Sequence, residues 1–472
     1  MNREEIRRRV TRCMPWILLF QFFFVFNESV FNLITPNLAE EFAVTPSTVS
    51  LVVTVGKLTF GIASIILATL SDFISIRKMI LFTCYSFPIV TLLGVFSDYS
   101  FTLLVIFRVL FCITIAAPVS LQIIFAMKYF DKLTAAKYIG YNAAVYQIAS
   151  ASGNLFGGYI TEYLHWNMVF LIPIVTFIGV PILIKNIPKD ESKKGSFDFI
   201  GITLVTAITT LFITFMTFKM HYPVLLILAL VCTAIFAFYM LKSKDSLIKP
   251  ELFRVKGVVW SLIVCALFYG TQVGFSFIFP FIVIKTYGMS VTTMGVFFTI
   301  TNIAAAITGM QTGRITKSIG YRNITLLGGL FIFSGLTIVA FLVGYSVTFI
   351  FLGMGLFNIG YTLFFSGYLA NYTLLLPVEQ RGVGLGIESL VLNIGSALGG
   401  VFIAMLFGQS FMSYKIIDFS VNKHSAQFSN SALILMFFIA VATFIFIKVF
   451  DKKFNQVGKV ENLNEENLSK VN

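Results

Sequence analysis

The sequence has little charge and almost no histidine. Asp, Glu, Lys and Arg make up 12% of its 472 residues, and only three residues are His. A soluble domain carries about 25% charged residues, so the chain has too little polar sequence for a sizeable globular domain. Its five cysteines, Cys13, Cys84, Cys112, Cys232 and Cys265, fall in or beside apolar runs with no paired spacing. That argues against a disulfide framework and a zinc site. No Gly-x-x-x-x-Gly-Lys-Ser/Thr loop occurs, so ATP is not the expected energy source. His165, His221 and His424 lie in loops without a Ser or carboxylate constellation nearby. Catalysis by a membrane-embedded acyltransferase is therefore the weakest of the functional alternatives, and no enzyme activity is expected.

Apolar sequence dominates what is present. Hydrophobic residues reach 57%, Phe alone accounts for 54 positions, and the mean hydropathy is +0.90. A membrane helix needs about 20 apolar residues. Fourteen runs read as spans, near 13–36, 48–70, 79–97, 101–123, 138–160, 166–184, 198–218, 223–241, 257–284, 292–313, 323–342, 346–370, 382–407 and 430–448. The first follows Arg3, Arg7, Arg8, Arg9 and Arg12 and is too long for a signal-peptide core, so it reads as a retained helix. Of the 34 Lys and Arg residues, 28 fall on the side of the termini and four on the other; Lys57 and Arg108 lie inside spans. By the positive-inside rule both termini are expected in the cytoplasm of a multi-pass cell-membrane protein. The net charge of +13 then belongs to loops facing anionic lipid rather than nucleic acid.

The chain also repeats itself. Ala68-Thr69-Leu70-Ser71-Asp72-Phe73-Ile74-Ser75-Ile76-Arg77 can be laid over Gly313-Arg314-Ile315-Thr316-Lys317-Ser318-Ile319-Gly320-Tyr321-Arg322. Gly153-Asn154-Leu155-Phe156-Gly157-Gly158 likewise matches Gly395-Ser396-Ala397-Leu398-Gly399-Gly400 at nearly the same offset. Two six-helix copies of one orientation are parallel repeats. The expected organisation is a basic leader at 1–12, a six-helix bundle at 13–197, two inserted helices and a linker at 198–256, a second bundle at 257–450 and a polar tail at 451–472.

This pattern resembles the major facilitator superfamily, in particular its fourteen-helix drug:proton antiporter branch, over roughly residues 13–450. Leu70-Ser71-Asp72 through Arg77-Lys78 is similar to the cytoplasmic motif between helices 2 and 3. Arg108 in Phe107-Arg108-Val109-Leu110 matches the helix-4 arginine, and Gly153 through Gly158 resembles the antiporter motif of helix 5. Ser246 through Arg254 resembles the segment that leads into helix 9. Asn27-Glu28 with Asn32 and Pro36, Thr45-Pro46, and the polar stretch Ser410–Ser429 are nearest to Gram-positive tetracycline efflux proteins. Three positions depart from that pattern: Asn154 stands where the motif has Pro, Ser150 where it has an acid, and Gly395-Ser396-Ala397 lacks the helix-13 acid. The resemblance implies an all-α integral membrane fold of fourteen helices, two six-helix pseudo-repeats plus two inserted helices. It also implies proton-coupled export of a tetracycline-type or other amphiphilic drug, and hence antibiotic resistance. The alternative is a proton-coupled transporter or flippase of another small molecule or lipid. A monomer in the bilayer is expected, driven by the proton gradient without a cofactor; a divalent cation could travel with the cargo.

Ionisable groups inside spans are costly, about 2.5–3.5 kcal/mol or more each at a helix centre, and mark functional positions. Glu28, Lys57, Arg108 and Glu388 form that set and are the proton-coupling candidates. Span ends put Glu28 and Lys57 at nearly the same depth on adjacent helices, so a direct or water-bridged contact is expected between them. Glu388, two turns into its span, could instead be satisfied by a cap or loop contact. Asp72 at a helix C-terminus wants a positive partner, and with Arg77 and Lys78 it makes a candidate conformational latch. Ala149, Gly153 and Gly157 recur every four residues as a small-residue stripe for close helix contact; Asn154 and Gly158 complete the motif. Asn27, Asn142, Gln147, Gln272, Asn302, Asn358 and Tyr361, with aromatics such as Phe275, are the expected cavity lining. Neutral polar groups among Phe suit an amphiphilic, partly aromatic cargo.

Overall fold

The computed structural model describes residues 3–70, 74–130, 132–188, 199–217, 221–242, 252–253, 255, 257–376, 381–407, 409–416 and 423–450, and among these it is entirely helical. The helices are α1 (Arg3–Leu33), α2 (Thr35–Glu41), α3 (Pro46–Leu70), α4 (Ile76–Leu93), α5 (Phe101–Tyr129), α6 (Lys132–Tyr163), α7 (Val180–Asn186), α8 (Phe199–Thr217) and α9 (Pro223–Lys242). They continue with α10 (Val258–Tyr287), α11 (Val291–Ile319), α12 (Tyr321–Leu342), α13 (Val347–Leu375), α14 (Arg381–Phe407) and α15 (Lys423–Val449). Turns of 3-10 helix from Trp166 to Gly179 lead directly into α7 and complete one span with it.

Among the described residues, 12 helices are long and apolar enough to cross a membrane. The expected spans at 138–160 and 198–218 coincide with the helices α6 and α8, which stand outside those 12. In α6, polar and small residues interrupt the apolar run, whereas α8 is an uncharged, largely apolar helix of 19 residues.

Local sequence sets several helix ends. Ser100 caps α5 by accepting from the Leu103 amide at 3.2 Å, and Ser346 caps α13 through the Thr348 amide at 3.3 Å. Pro36 sits in the first turn of α2, where a missing N–H costs no hydrogen bond. Glu162 accepts from the Thr292 amide at 3.1 Å at the start of α11.

The chain divides into two compact units. One comprises Met1–Leu247 with Met289–Thr299, the other Ile248–Gly288 with Ile300–Asn472. In the first, α1 packs along α6 and α5, α3 packs along α5, and α8 pairs with α9. In the second, α12 pairs with α13, and α10 packs against α14 and α15. The first and fifth spans of each sequence repeat are thus neighbours within their own unit.

The repeated glycine motif explains that pairing. A Cβ on Gly153 would meet the Phe26 carbonyl and Ser29 of α1, and one on Gly157 would lie 2.7 Å from a Val30 methyl. In the second unit, a Cβ on Gly395 would come 2.7 Å from the Ala266 Cα, and one on Gly399 would fall inside the Gly270 backbone. Both crossings therefore leave no room for a side chain at the glycine positions. Gly399→Val should cost more than the usual overpacking penalty of about 1–3 kcal/mol, because backbone rather than a side chain lies in the way. The check is thermal unfolding in detergent, where Ser396→Ala, one turn away, serves as the neutral comparison.

Candidate functional site

The apolar interior of the first unit holds one charged cluster whose geometry the structure defines fully. Arg108 lies two turns into α5 and is 0% exposed. An arginine cannot lose its charge inside a protein, so the surrounding chain must replace its water. One Nη donates to Oε1 of Glu28 and the other to Oδ1 of Asn27, while Nε donates to the Val52 carbonyl of α3 at 3.1 Å. The Phe31 ring faces the guanidinium at 4.4 Å, adding a cation–π contact. Gly56 makes room for the pair: a Cβ there would lie 2.8 Å from Arg108 Nη2 and 3.1 Å from Glu28 Oε1. Neither Gly56 nor Phe31 was identifiable from sequence, since nothing in a linear apolar run marks which small or aromatic residue faces a charge.

Glu28 is 8% exposed, and its second oxygen, Oε2, is buried with no hydrogen-bond partner, as is the Asn27 amide nitrogen. Asn32 donates to the Glu28 carbonyl at 2.9 Å and holds the end of α1 in register. The expected Glu28–Lys57 contact is not what forms in this structure. Glu28 is paired with Arg108, and Lys57 makes no ion pair among the described residues, although it lies within electrostatic reach of Glu28. Depth was matched but azimuth was not, because Gly56 is the α3 residue that faces the pair.

In the second unit, Glu388 is 5% exposed and has a different environment. The Cys265 thiol of α10 is its hydrogen-bond donor at 3.5 Å, and no cation pairs with it among the described residues. The carboxyl is therefore held by α10 rather than by a helix cap or loop. Around it, the Tyr368 hydroxyl donates to the Ser261 carbonyl at 2.9 Å and that of Tyr372 to the Gly384 carbonyl at 3.0 Å. Phe268 stacks on Tyr361 at 4.7 Å and on Phe364 at 3.8 Å. An acid among aromatic rings results, with none of the cationic neutralisation found at Glu28.

The remaining candidates divide. Asp72 lies outside the described residues. Arg77 donates to the carbonyls of Ile184, at 2.7 Å, and Ile187, so it ties down the end of α7; Lys78 is exposed. Ala149 is fully buried, and Gly153 and Gly157 face α1 as described. Gly158 faces Val291 and Thr292, and the Asn154 carbonyl faces Gly295, at the opening of α11. With Asn154 in place of Pro, α6 runs unbroken from Lys132 to Tyr163. Among the expected lining residues, Asn358 reaches Thr301 at 3.2 Å and Asn302 at 3.4 Å. Asn142, Gln147, Gln272 and Tyr361 are half-buried. Asn27 and Phe275 are not lining. Both are 0% exposed, Asn27 because it bonds Arg108 and Phe275 because it packs on Phe279 and Phe357. No group of three or more His, Cys, Asp or Glu able to hold a metal lies together among the described residues.

Residues 17–400 match the sequence profile of the Major Facilitator Superfamily. The chain belongs to that family. It is thus a multi-pass membrane protein of that superfamily. It is 28% identical over 280 residues to the riboflavin transporter RibZ of Clostridioides difficile, an alignment covering 58% of this chain and 61% of that protein. It is 26% identical over 233 residues to multidrug resistance protein 3 of Bacillus subtilis, covering 47% of this chain and 45% of that one. The chain thus spans about half to three-fifths of the length of these relatives. Among solved structures, a D-xylose–proton symporter superposes with a TM-score of 0.67 at 13% identity, over 94% of this chain and 98% of that one. A bacterial homologue of the human lysosomal transporter Spinster superposes with a TM-score of 0.65 at 16% identity, over 93% and 97%. These structural likenesses show the fold. They do not place the chain in the fourteen-helix tetracycline branch, and the riboflavin relative shows that other cargoes occur among its relatives.

Removing one partner of a buried ion pair leaves the other charge uncompensated, at a cost of about 3–5 kcal/mol. Arg108→Met should therefore destabilise the protein by that order, and Glu28→Gln/Arg108→Met should regain a large part of the loss. The Glu28/Lys57 cycle should show much weaker coupling. Thermal or denaturant unfolding of the two double-mutant cycles checks this, and equal coupling in both would remove Arg108 as the specific partner.

Proposed function

We propose that this family member is a proton-coupled exporter of a small amphiphilic, partly aromatic molecule, with Glu28 as its principal proton acceptor. The observation that carries this reading is the Glu28–Arg108 pair, in which one carboxylate oxygen is bonded and the other is buried without a partner. A proton placed on Oε2 would neutralise Glu28 and leave the Arg108 charge to Asn27, the Val52 carbonyl and Phe31. The same pair would reform when the proton leaves. Protonation would thus change an interaction that joins α1 to α5 without dismantling the rest of the Arg108 shell. Glu388 is the second proton-accepting candidate, and Lys57 would tune the field at Glu28.

Under this reading the chain crosses the plasma membrane fourteen times, with α6 and α8 completing the set, and both termini lie in the cytoplasm. Asp72, Arg77 and Lys78 retain a latch role at the cytoplasmic end, and the protein works as a monomer. Drug efflux is supported by the multidrug relative. A second reading, transport of a flavin or a similar planar heteroaromatic molecule, is supported by the riboflavin relative. The two differ in cargo but not in the proposed coupling site.

Uptake into everted vesicles, with and without an imposed pH gradient, separates these readings. The panel should contain a tetracycline, a lipophilic cationic dye and riboflavin. At least one cargo should be concentrated only when the gradient is present. Glu28→Gln should cut gradient-driven uptake by about ten-fold or more, as for loss of an essential proton-transfer group, while gradient-independent cargo exchange persists. Full proton coupling in Glu28→Gln would rule out the proposed role, and a preference for riboflavin over the drugs would select the second reading.

A further inference from the structure

A cleft of about 490 Å³ lies in the first unit between α1 and α7, lined by Arg12, Trp16, Pro181, Ile182, Lys185 and Asn186. Among the described residues, no acidic side chain lines it. Arg12 and Lys185 are exposed, and neither they nor the Trp16 indole N–H has a hydrogen-bond or ion-pair partner among the described residues. Two cations and an indole therefore line one concavity, and nothing among the described residues accepts from them.

The cleft is held rigid from behind. Gly179 has no side chain because the Trp16 ring occupies the space a Cβ would need, which fixes the indole against the start of α7. Arg77 donates to the Ile184 and Ile187 carbonyls at the other end of α7. A helix C-terminus carries partial negative charge that disfavours an anion; the Arg77 guanidinium offsets it here.

We infer that this cleft binds the phosphate headgroup of an anionic phospholipid. Arg12 and Lys185 bracket the phosphate, since guanidinium and ammonium groups both favour phosphate oxygens. The Trp16 N–H reaches the ester region, as Trp does at membrane–water interfaces. A lipid is favoured over a soluble phosphate because the same span exposes Val175, Phe177 and Ile178 next to the cleft. Those side chains give acyl chains an apolar track continuous with Pro181 and Ile182. Basic pockets between membrane helices commonly take such headgroups. This inference is independent of the transported cargo and of Glu28.

The full-length protein reconstituted in phosphatidylcholine vesicles with increasing brominated phosphatidylglycerol provides the test, read by quenching of tryptophan fluorescence. Wild-type protein should show saturable quenching at a few mole per cent, and Trp16→Phe should lose most of that component. Arg12→Gln/Lys185→Gln should weaken half-saturation by about ten-fold or more, for two lost charges at the lipid surface. The charge-matched control Arg314→Gln/Lys317→Gln should behave as wild type. Both altered pairs are exposed, so the fold is not at stake. Equal weakening in the two double variants would reduce the effect to net charge and overturn the site. So would quenching unaffected by Arg12→Gln/Lys185→Gln, or full reversal by millimolar inorganic phosphate at constant ionic strength, which would make it a soluble-anion site.

Discussion

A guanidinium that keeps its charge in an apolar interior constrains everything near it. Arg108 has no water to turn to, so α1 and α3 must supply its acceptors and yield the volume it fills. The consequences are specific. Asn27 and Glu28 face α5, α3 contributes a backbone carbonyl at Val52, and position 56 has no room for a side chain. The other side of α1 is constrained equally, because Phe26, Ser29 and Val30 meet the glycines of α6. With side chains on α1 committed on both sides, the helix has little freedom to rotate without breaking either the ion pair or the close crossing.

The second unit keeps the crossing and changes the chemistry. Gly395 and Gly399 bring α14 against α10 as Gly153 and Gly157 bring α6 against α1. Its buried acid, however, meets a thiol and a row of aromatic rings instead of a guanidinium. Among the described residues, Glu28 has an opposite charge beside it and Glu388 has none. The repeated scaffold therefore carries two acids whose surroundings respond differently to an arriving positive charge. A cation near Glu388 would meet no built-in competitor, whereas one near Glu28 would have to displace Arg108.

How much of this was legible in the sequence depends on the kind of signal. Glu28, Arg108 and Glu388 stood out because an ionisable residue in an apolar run is rare and costly. The glycine motif was legible as a repeat, and each copy brings its helix close against the first helix of its own unit. Azimuth was not legible. Lys57 and Arg108 are both cations in spans near Glu28, and only the three-dimensional packing shows which of them turns toward it. Asn27 and Phe275 were expected at a cavity on polarity and aromaticity alone, yet polarity does not distinguish a group facing solvent from one satisfying a buried charge. The helix α6 marks a further limit, since a run with interspersed polar and small residues can be helical without a continuous apolar stretch.

The arrangement of the pair also limits how a proton on Glu28 could be felt elsewhere. Neutralising the carboxyl removes one of the three side-chain or backbone acceptors of Arg108, and Asn27 and Val52 continue to hold the guanidinium to α1 and α3. The site would not collapse. What loosens is the carboxyl itself, on a helix whose next residue, Ser29, touches α6 and bonds Ser150 at 3.2 Å. Any movement set off at Glu28 would therefore pass along α1 to a close crossing, where Gly153 lies against the Phe26 carbonyl and Gly157 against Val30 and small shifts are resisted. In close-packed interiors such contacts favour discrete alternatives over gradual deformation. The glycine crossing would then act as the stiff element that turns a local change of charge into a change of helix position.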